Sequence, residues 1–369
     1  MPATIHGSRP VSSDLAELVE LGDPTALLRA VDGLCTTRDW AGLVELRARL
    51  EEAVERGRPL WPLVTWVEYR LALEAPAPEA AAVLRPGAGR FALGPLTEVA
   101  ASVHTWAELA PHLTAPAVAG TVAQERVLRG EDLRGDQRAA PEVLEVPLAL
   151  APWEPDYPLP VYRPDRMQAP DPPAVPEPTE VPGPRTPRSP GSPAEVPTEL
   201  DRPDVVRALL DLVEVWTSES EGRAEAVVVA GDAGGAVSAL LARDPEAGNG
   251  RVPRLARIDP ATAMAWMAWA AASGGAHGVR RGGALGRFDA WWAAAALTGA
   301  EWPPDPPELG QALERLTWWA WDDGGPAHGW VLRLAAADPA GGWAAALDAR
   351  DVSADPGRRR AGSADDDPA

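Results

Sequence analysis

The stretch LTWWAWDDGGPAHGWVLRLAAADPAGGWAAALDA, residues 316–349, decides the fold class. Its strings DDGGPAH and DPAGG are built from residues that favour tight turns, and the runs around them are rich in tryptophan, valine, leucine and alanine. Three strands are therefore expected, Leu316 to Trp321, Gly329 to Ala336 and Trp343 to Ala349, paired as a three-stranded antiparallel meander. In the middle strand Trp330, Leu332 and Leu334 alternate with Val331 and Arg333, which gives one covered face and one wetter face.

Working outward, Val206, Leu209, Leu210, Val213 and Trp216 line one face of a helix, and Glu225 to Ala230 reads as a buried strand. A long helical region follows from Pro260 to Gly299, with a glycine-rich stretch inside it. Residues 204–352 thus form an α+β domain, and 353–369 a frayed tail. Upstream, proline recurs every few residues between 164 and 203 with too little apolar surface to offset the entropy of ordering, so a disordered spacer is expected there. Residues 13–163 read as an all-helical domain with an extended C-terminal strap, after a disordered start over 1–12. Asp23 before Pro24 is a helix start. A helix from about Asp39 to Arg56 carries Trp40, Leu43, Val44, Leu50 and Val54, and the next opens at Trp61 with Trp66 expected in the core. The class is α+β for the whole chain.

The chain has 369 residues, 46% of them apolar and 24% charged, which suits two folded domains. Every basic residue is arginine. A net charge of -20 repels nucleic-acid backbones and anionic lipid, so neither nucleic acid nor a membrane is expected as a partner, and no run is apolar and long enough to span a bilayer. A single cysteine, Cys35, and the absence of a leader-like N-terminus fit a cytoplasmic setting.

Four strings resemble an uncharacterised actinobacterial protein family of unknown function: RPLWPLVTWVEYRLALEAP from Arg58, GRFALGPLTEVAASVHTWAEL from Gly89, ERVLRGEDL from Glu125, and GGAHGVRRGGALGRFDAWW from Gly274. The resemblance implies lineage and a cytoplasmic setting, and no activity.

Between Asp259 and Asp289 there is no acidic residue, while His277, Arg280, Arg281 and Arg287 fall within it. This local charge reversal makes those four the candidate anion-binding residues, with glycine-freed backbone N–H groups adding to the arginine forks. The competing reading gives the arginines to internal acids and the glycines at 274, 278, 282 and 286 to close helix packing. VVVAGDAGGA, residues 227–236, has strand–turn–helix order but lacks G-x-G-x-x-G, and a chain without lysine has no GK[ST] loop. His104, Glu108 and His112 do not make H-E-x-x-H, and Cys35 reads as a small core residue. Asp322 and Asp323, with His328 and Trp330, form a weaker carboxylate candidate in a turn. The tryptophans read as core. No cofactor is implied. The expected role is a protein-interaction or scaffold module with a protein partner; the alternative is an anionic-ligand binder or enzyme using the arginine and histidine cluster.

Overall fold

A computed structural model describes residues 12–179, 197–243, 253–324 and 329–352. The expected disordered N-terminus and tail, the middle of the proline-rich stretch, and His328 lie outside the described residues. Two compact units form, one within Met1–Leu144 and Pro160–Ala169, the other within Glu145–Leu159 and Pro170–Ala369.

The first unit is helical: α1 Ser12–Leu21, α2 Pro24–Thr37, α3 Trp40–Glu55, α4 Trp61–Glu74, α5 Ala77–Ala82, α6 Leu96–Val103, α7 Trp106–Leu109 and α8 Pro116–Val127, followed by a short hairpin of β1 Val161–Arg163 and β2 Arg166–Gln168. Asp23 caps α2, accepting from Thr25 N at 2.9 Å, with Pro24 where its missing N–H costs nothing. Leu27, Val31, Leu34, Leu43, Leu46 and Leu50 are buried and bring α2 and α3 together; Val44, expected on that face, is exposed. Trp66 is only half-buried, its ring 5.7 Å from that of Tyr69, and it is Tyr69 that the core encloses. The hairpin is tied down by Tyr162, whose hydroxyl donates to buried Glu98 at 2.6 Å.

The second unit runs α9 Pro203–Asp211, α10 Glu214–Ser218, β3 Arg223–Ala230, α11 Ala233–Arg243, β4 Arg254–Ile258, α12 Pro260–Ala272, α13 Gly283–Thr298, α14 Pro306–Arg315, β5 Thr317–Asp322, β6 Trp330–Asp338 and β7 Trp343–Asp351. The expected meander is present as β5-β6-β7, and the sheet continues on both sides to a five-stranded antiparallel order β3-β7-β6-β5-β4. Alanines at Ala335, Ala337, Ala344 and Ala346 flatten one face so that α11 can approach it, packing Val237 and Leu240 against Val227, Val229 and Trp321. On the other face α9 lies against β3 and β7, and α12 against β5 and β6.

The helical region from Pro260 to Gly299 is two helices, not one, because Ser273 to Gly282 leaves the helical path and Gly282 adopts φ 100°. Hence the four-residue glycine spacing does not make one strip. Gly286 alone serves close helix packing, where an added Cβ would meet Ala268 O of α12 at 2.4 Å.

The sequence expectation placed 145–163 with the helical domain; the contacts put 145–159 in the second unit and return 160–169 to the first. The reason is chemical: this strap carries Glu154, completely buried against Arg287 of α13. The described ends of the proline-rich stretch are hydrogen-bonded to the second unit too. Trp269 Nε1 donates to Pro170 O at 3.0 Å and Thr179 N to Leu255 O of β4 at 3.2 Å. At the opposite sheet edge Leu200 N donates to Val228 O, and Ala230 N to Thr198 O, both at 2.8 Å. The β3 edge is thus paired by two backbone bonds, and the β4 edge touched by one.

Candidate functional site

The structure distributes the four candidate anion-binding residues among different jobs. Arg287 is fully buried and grips Glu154 with a bidentate fork, Nε to Oε2 and Nη2 to Oε1, both at 2.7 Å. It also donates to Pro147 O at 2.8 Å and lies over the Trp291 ring. Glu154 further accepts from Trp291 Nε1 at 2.9 Å, Tyr157 hydroxyl at 2.7 Å and Ala151 N at 2.8 Å. Burial acts to raise the Glu154 pKa, but Arg287 and these donors outweigh it and hold the carboxyl below its usual value. Arg281 pairs with Asp289. Arg280 is half-buried and partnered, and His277 is exposed.

The glycine loop does bind anions, but they are the protein's own. Ala276 N donates to Asp351 Oδ2 at 2.6 Å, and Val279 N to Glu219 Oε2 at 3.1 Å. Asp351 is fully buried and takes a further bond from Ser220 hydroxyl at 3.0 Å. So two of the four residues, and two of the loop's N–H groups, are spent on internal carboxylates.

The weaker candidates are likewise occupied. Asp323 pairs with Arg333 at 2.8 Å, and Asp322 with Arg254 at 3.2 Å, so the two carboxylates face different guanidiniums. After β3, Gly231 takes φ 122° and Asp232 caps α11 through Gly235 N at 2.9 Å, which places a carboxylate where a phosphate would sit. Burial pushes the Cys35 thiol up to about 11, the opposite of an activated nucleophile. Glu108 belongs to a capping box with Thr105, and His104, lowered mainly by burial, sits apart from exposed His112. Among the described residues no group of three or more His, Cys, Asp or Glu could hold a metal ion, and no helix is long and apolar enough to cross a membrane.

What sequence reasoning missed lies in the helical unit. A cavity of about 630 Å³ opens between α3, the start of α4 and the loop Arg85 to Phe91. Two exposed rings stand at it, Trp61 and Phe91, with centroids 4.9 Å apart. Glu51, Glu55 and Glu68 line it, with Arg47, Arg85 and Arg90. Glu68 is the buried member, its side chain 3% exposed. Oε2 accepts from Gly89 N at 3.2 Å and so fastens the loop to α4. Oε1 lies 2.8 Å from Arg85 Nη2, yet no donor meets it with hydrogen-bond geometry. Arg85, 44% exposed, also reaches Glu51 Oε1 at 2.6 Å. Positive φ at Gly87 and Gly89 lets the loop turn tightly enough to bring Arg85 and Phe91 to the same cavity. The signal available in sequence was RPGAGRF, which reads as a plain turn.

Fold and site define an α+β chain whose helical unit carries an aromatic-rimmed, carboxylate-floored cavity. The model of a family of unknown function (DUF6183) matches residues 25–353, and the chain belongs to that family. No curated protein and no solved structure matches it.

Proposed function

We propose that the protein is an interaction module whose helical unit receives an arginine-bearing, basic segment of a protein partner in the cavity beside Trp61 and Phe91. The observation that carries this reading is the pairing of exposed aromatic rings with a buried carboxylate oxygen whose one cation, Arg85 Nη2 at 2.8 Å, meets it outside hydrogen-bond geometry. The chain uses the same chemistry internally. Arg70 lies over Trp66 and is held by Asp32 and Glu74; Arg287 lies over Trp291 and is held by Glu154; Arg333 lies over Trp321 and is held by Asp323 and Asp348. At the cavity the carboxylates and rings are present; Arg90 lies over Phe91 at 5.6 Å, and among the described residues no guanidinium lies over Trp61.

A cation over an exposed ring contributes about 0.5–1 kcal/mol, and more where water is excluded, so several contacts must act together. The net charge of -20 steers a basic segment toward the surface and away from phosphate-bearing polymers. Isothermal titration of the full chain with an arginine-bearing peptide, against the same peptide with its arginines changed to glutamate, tests the reading. Binding should weaken with added salt and with Trp61→Ala. Equal heats for both peptides, or no binding at millimolar peptide, would overturn it.

A further inference from the structure

We infer that Arg85 is a built-in stand-in for the ligand: it neutralises Glu68 and shares Glu51 with Arg47, and an incoming guanidinium takes its place on Glu68. This rests on the cation-receiving reading of the cavity. Glu68 is buried, and a buried carboxylate stripped of its counter-ion is costly. Arg85 supplies the charge, but its geometry at Oε1 is that of an ion pair without a hydrogen bond. Arg70, Arg287 and Arg333, each lying over a tryptophan, have side chains 7%, 1% and 6% exposed; Arg85 is 44% exposed and rides on a loop with two positive-φ glycines. Thus the cavity pairs a buried acid with a solvent-facing base.

A guanidinium entering between Trp61 and the carboxylates can place an N–H directly on Oε1, adding the hydrogen bond that Arg85 does not make. Arg85 then swings into water, where a guanidinium is well solvated, and keeps its attraction for Glu51 or Glu55 at the rim. Because Glu68 Oε2 holds Gly89 N, a new partner on Oε1 also bears on the Arg85–Phe91 loop. The class of ligand follows: a planar, forked cation matched to a carboxylate and an aromatic face, in preference to a lysine ammonium.

The test uses Arg85→Ala in the full chain with ethylguanidinium chloride as probe and equal sodium chloride as control. Arg85→Ala should melt below the unmodified protein, and millimolar ethylguanidinium should restore much of the loss while raising the unmodified protein's Tm much less. The same variant should bind the arginine-bearing peptide about tenfold more tightly, since the ligand no longer competes with Arg85. Should Arg85→Ala fail to fold, Arg85→Gln, which can still donate to Glu51, is expected to show the same rescue and the same tightening. Peptide binding equal to or weaker than that of the unmodified protein, or a melting loss that ethylguanidinium does not recover, would overturn the exchange and leave the cavity reading standing. If the unmodified chain binds no basic peptide and the variant is not rescued, both fall.

Discussion

Replacing Glu154 by glutamine removes one charge from the second unit's most enclosed ion pair and leaves the volume almost unchanged. Both side chains are at most 1% exposed, so no water can take over the lost role. Arg287 would keep its full charge but lose the bidentate carboxylate fork, and the new amide N–H₂ would have to face a guanidinium, Trp291 Nε1 or the Tyr157 hydroxyl. Breaking one side of a buried pair costs about 3–5 kcal/mol. For a unit of this size 1 kcal/mol is worth roughly 2–4 °C, so Tm should fall by roughly 6–20 °C. The pH dependence has a defined sign. Glu154 titrates below its usual 4.5 in the fold, so its stabilisation is present above that value and is lost as pH falls through the lower folded one. Thermal melts of Glu154→Gln and the unmodified chain should therefore be far apart at pH 7 and converge in acid. A difference under about 1 kcal/mol at pH 7 would refute the claim that the pair is buried and unreplaceable.

Asp289 titrates the other way: burial raises its pKa to about 6, Arg281 opposes this, and Asp211 and Glu214 add to it. A raised folded value makes its contribution complete below the usual 3.8 and lost as pH rises through about 6, so Asp289→Asn should flatten the decline in Tm between pH 5 and 7.5; parallel profiles would contradict it. Cleavage at a protease site inserted between residues 180 and 196 should leave the two pieces associated on a sizing column, because 145–159 and 170–179 belong to the second unit and stay bound through Glu154 and Trp153. Separation of the pieces without denaturant would show those contacts to be dispensable.

Much of the helical unit was legible because its signals are local. The Asp23–Pro24 start and the apolar periodicity of α3 need only neighbours within a turn or two. The meander was legible because its turns are written in glycine, proline and aspartate. β4 was not: RLARI is short, three of its five side chains are arginine or alanine, and it is a strand only because β5 lies beside it, Leu255 opposite Trp321. The charge reversal around Gly274 was real, but its partners are tertiary. Glu154 is 133 residues from Arg287 and Asp351 is 75 from Ala276, distances at which no spacing rule operates. The cavity was invisible for a related reason: Trp61 reads as a core aromatic like the other tryptophans and Phe91 as part of a turn, until the fold leaves both rings exposed side by side.

An arginine-only chain changes what a surplus of acid means. Guanidiniums keep their charge when buried and bind carboxylates in pairs, so they can carry acids into the interior where lysine would tend to lose its proton. Three such pairs are backed by tryptophan, at Trp66, Trp291 and Trp321. In addition, backbone N–H groups of the Gly274 loop consume Asp351 and Glu219. Acids used in this way are already balanced or hydrogen-bonded, and the remaining negative charge is therefore concentrated on the surface, where it attracts cations in general without fixing any one of them. On the proposed reading, fixing requires a place where rings meet a desolvated carboxylate whose own cation is poorly aligned. Among the described residues the cavity of Trp61, Phe91 and Glu68 combines these, and its arginine is the most exposed of those shown engaged with a buried acid, so competition by an external guanidinium is expected there and not at Glu154 or Asp323.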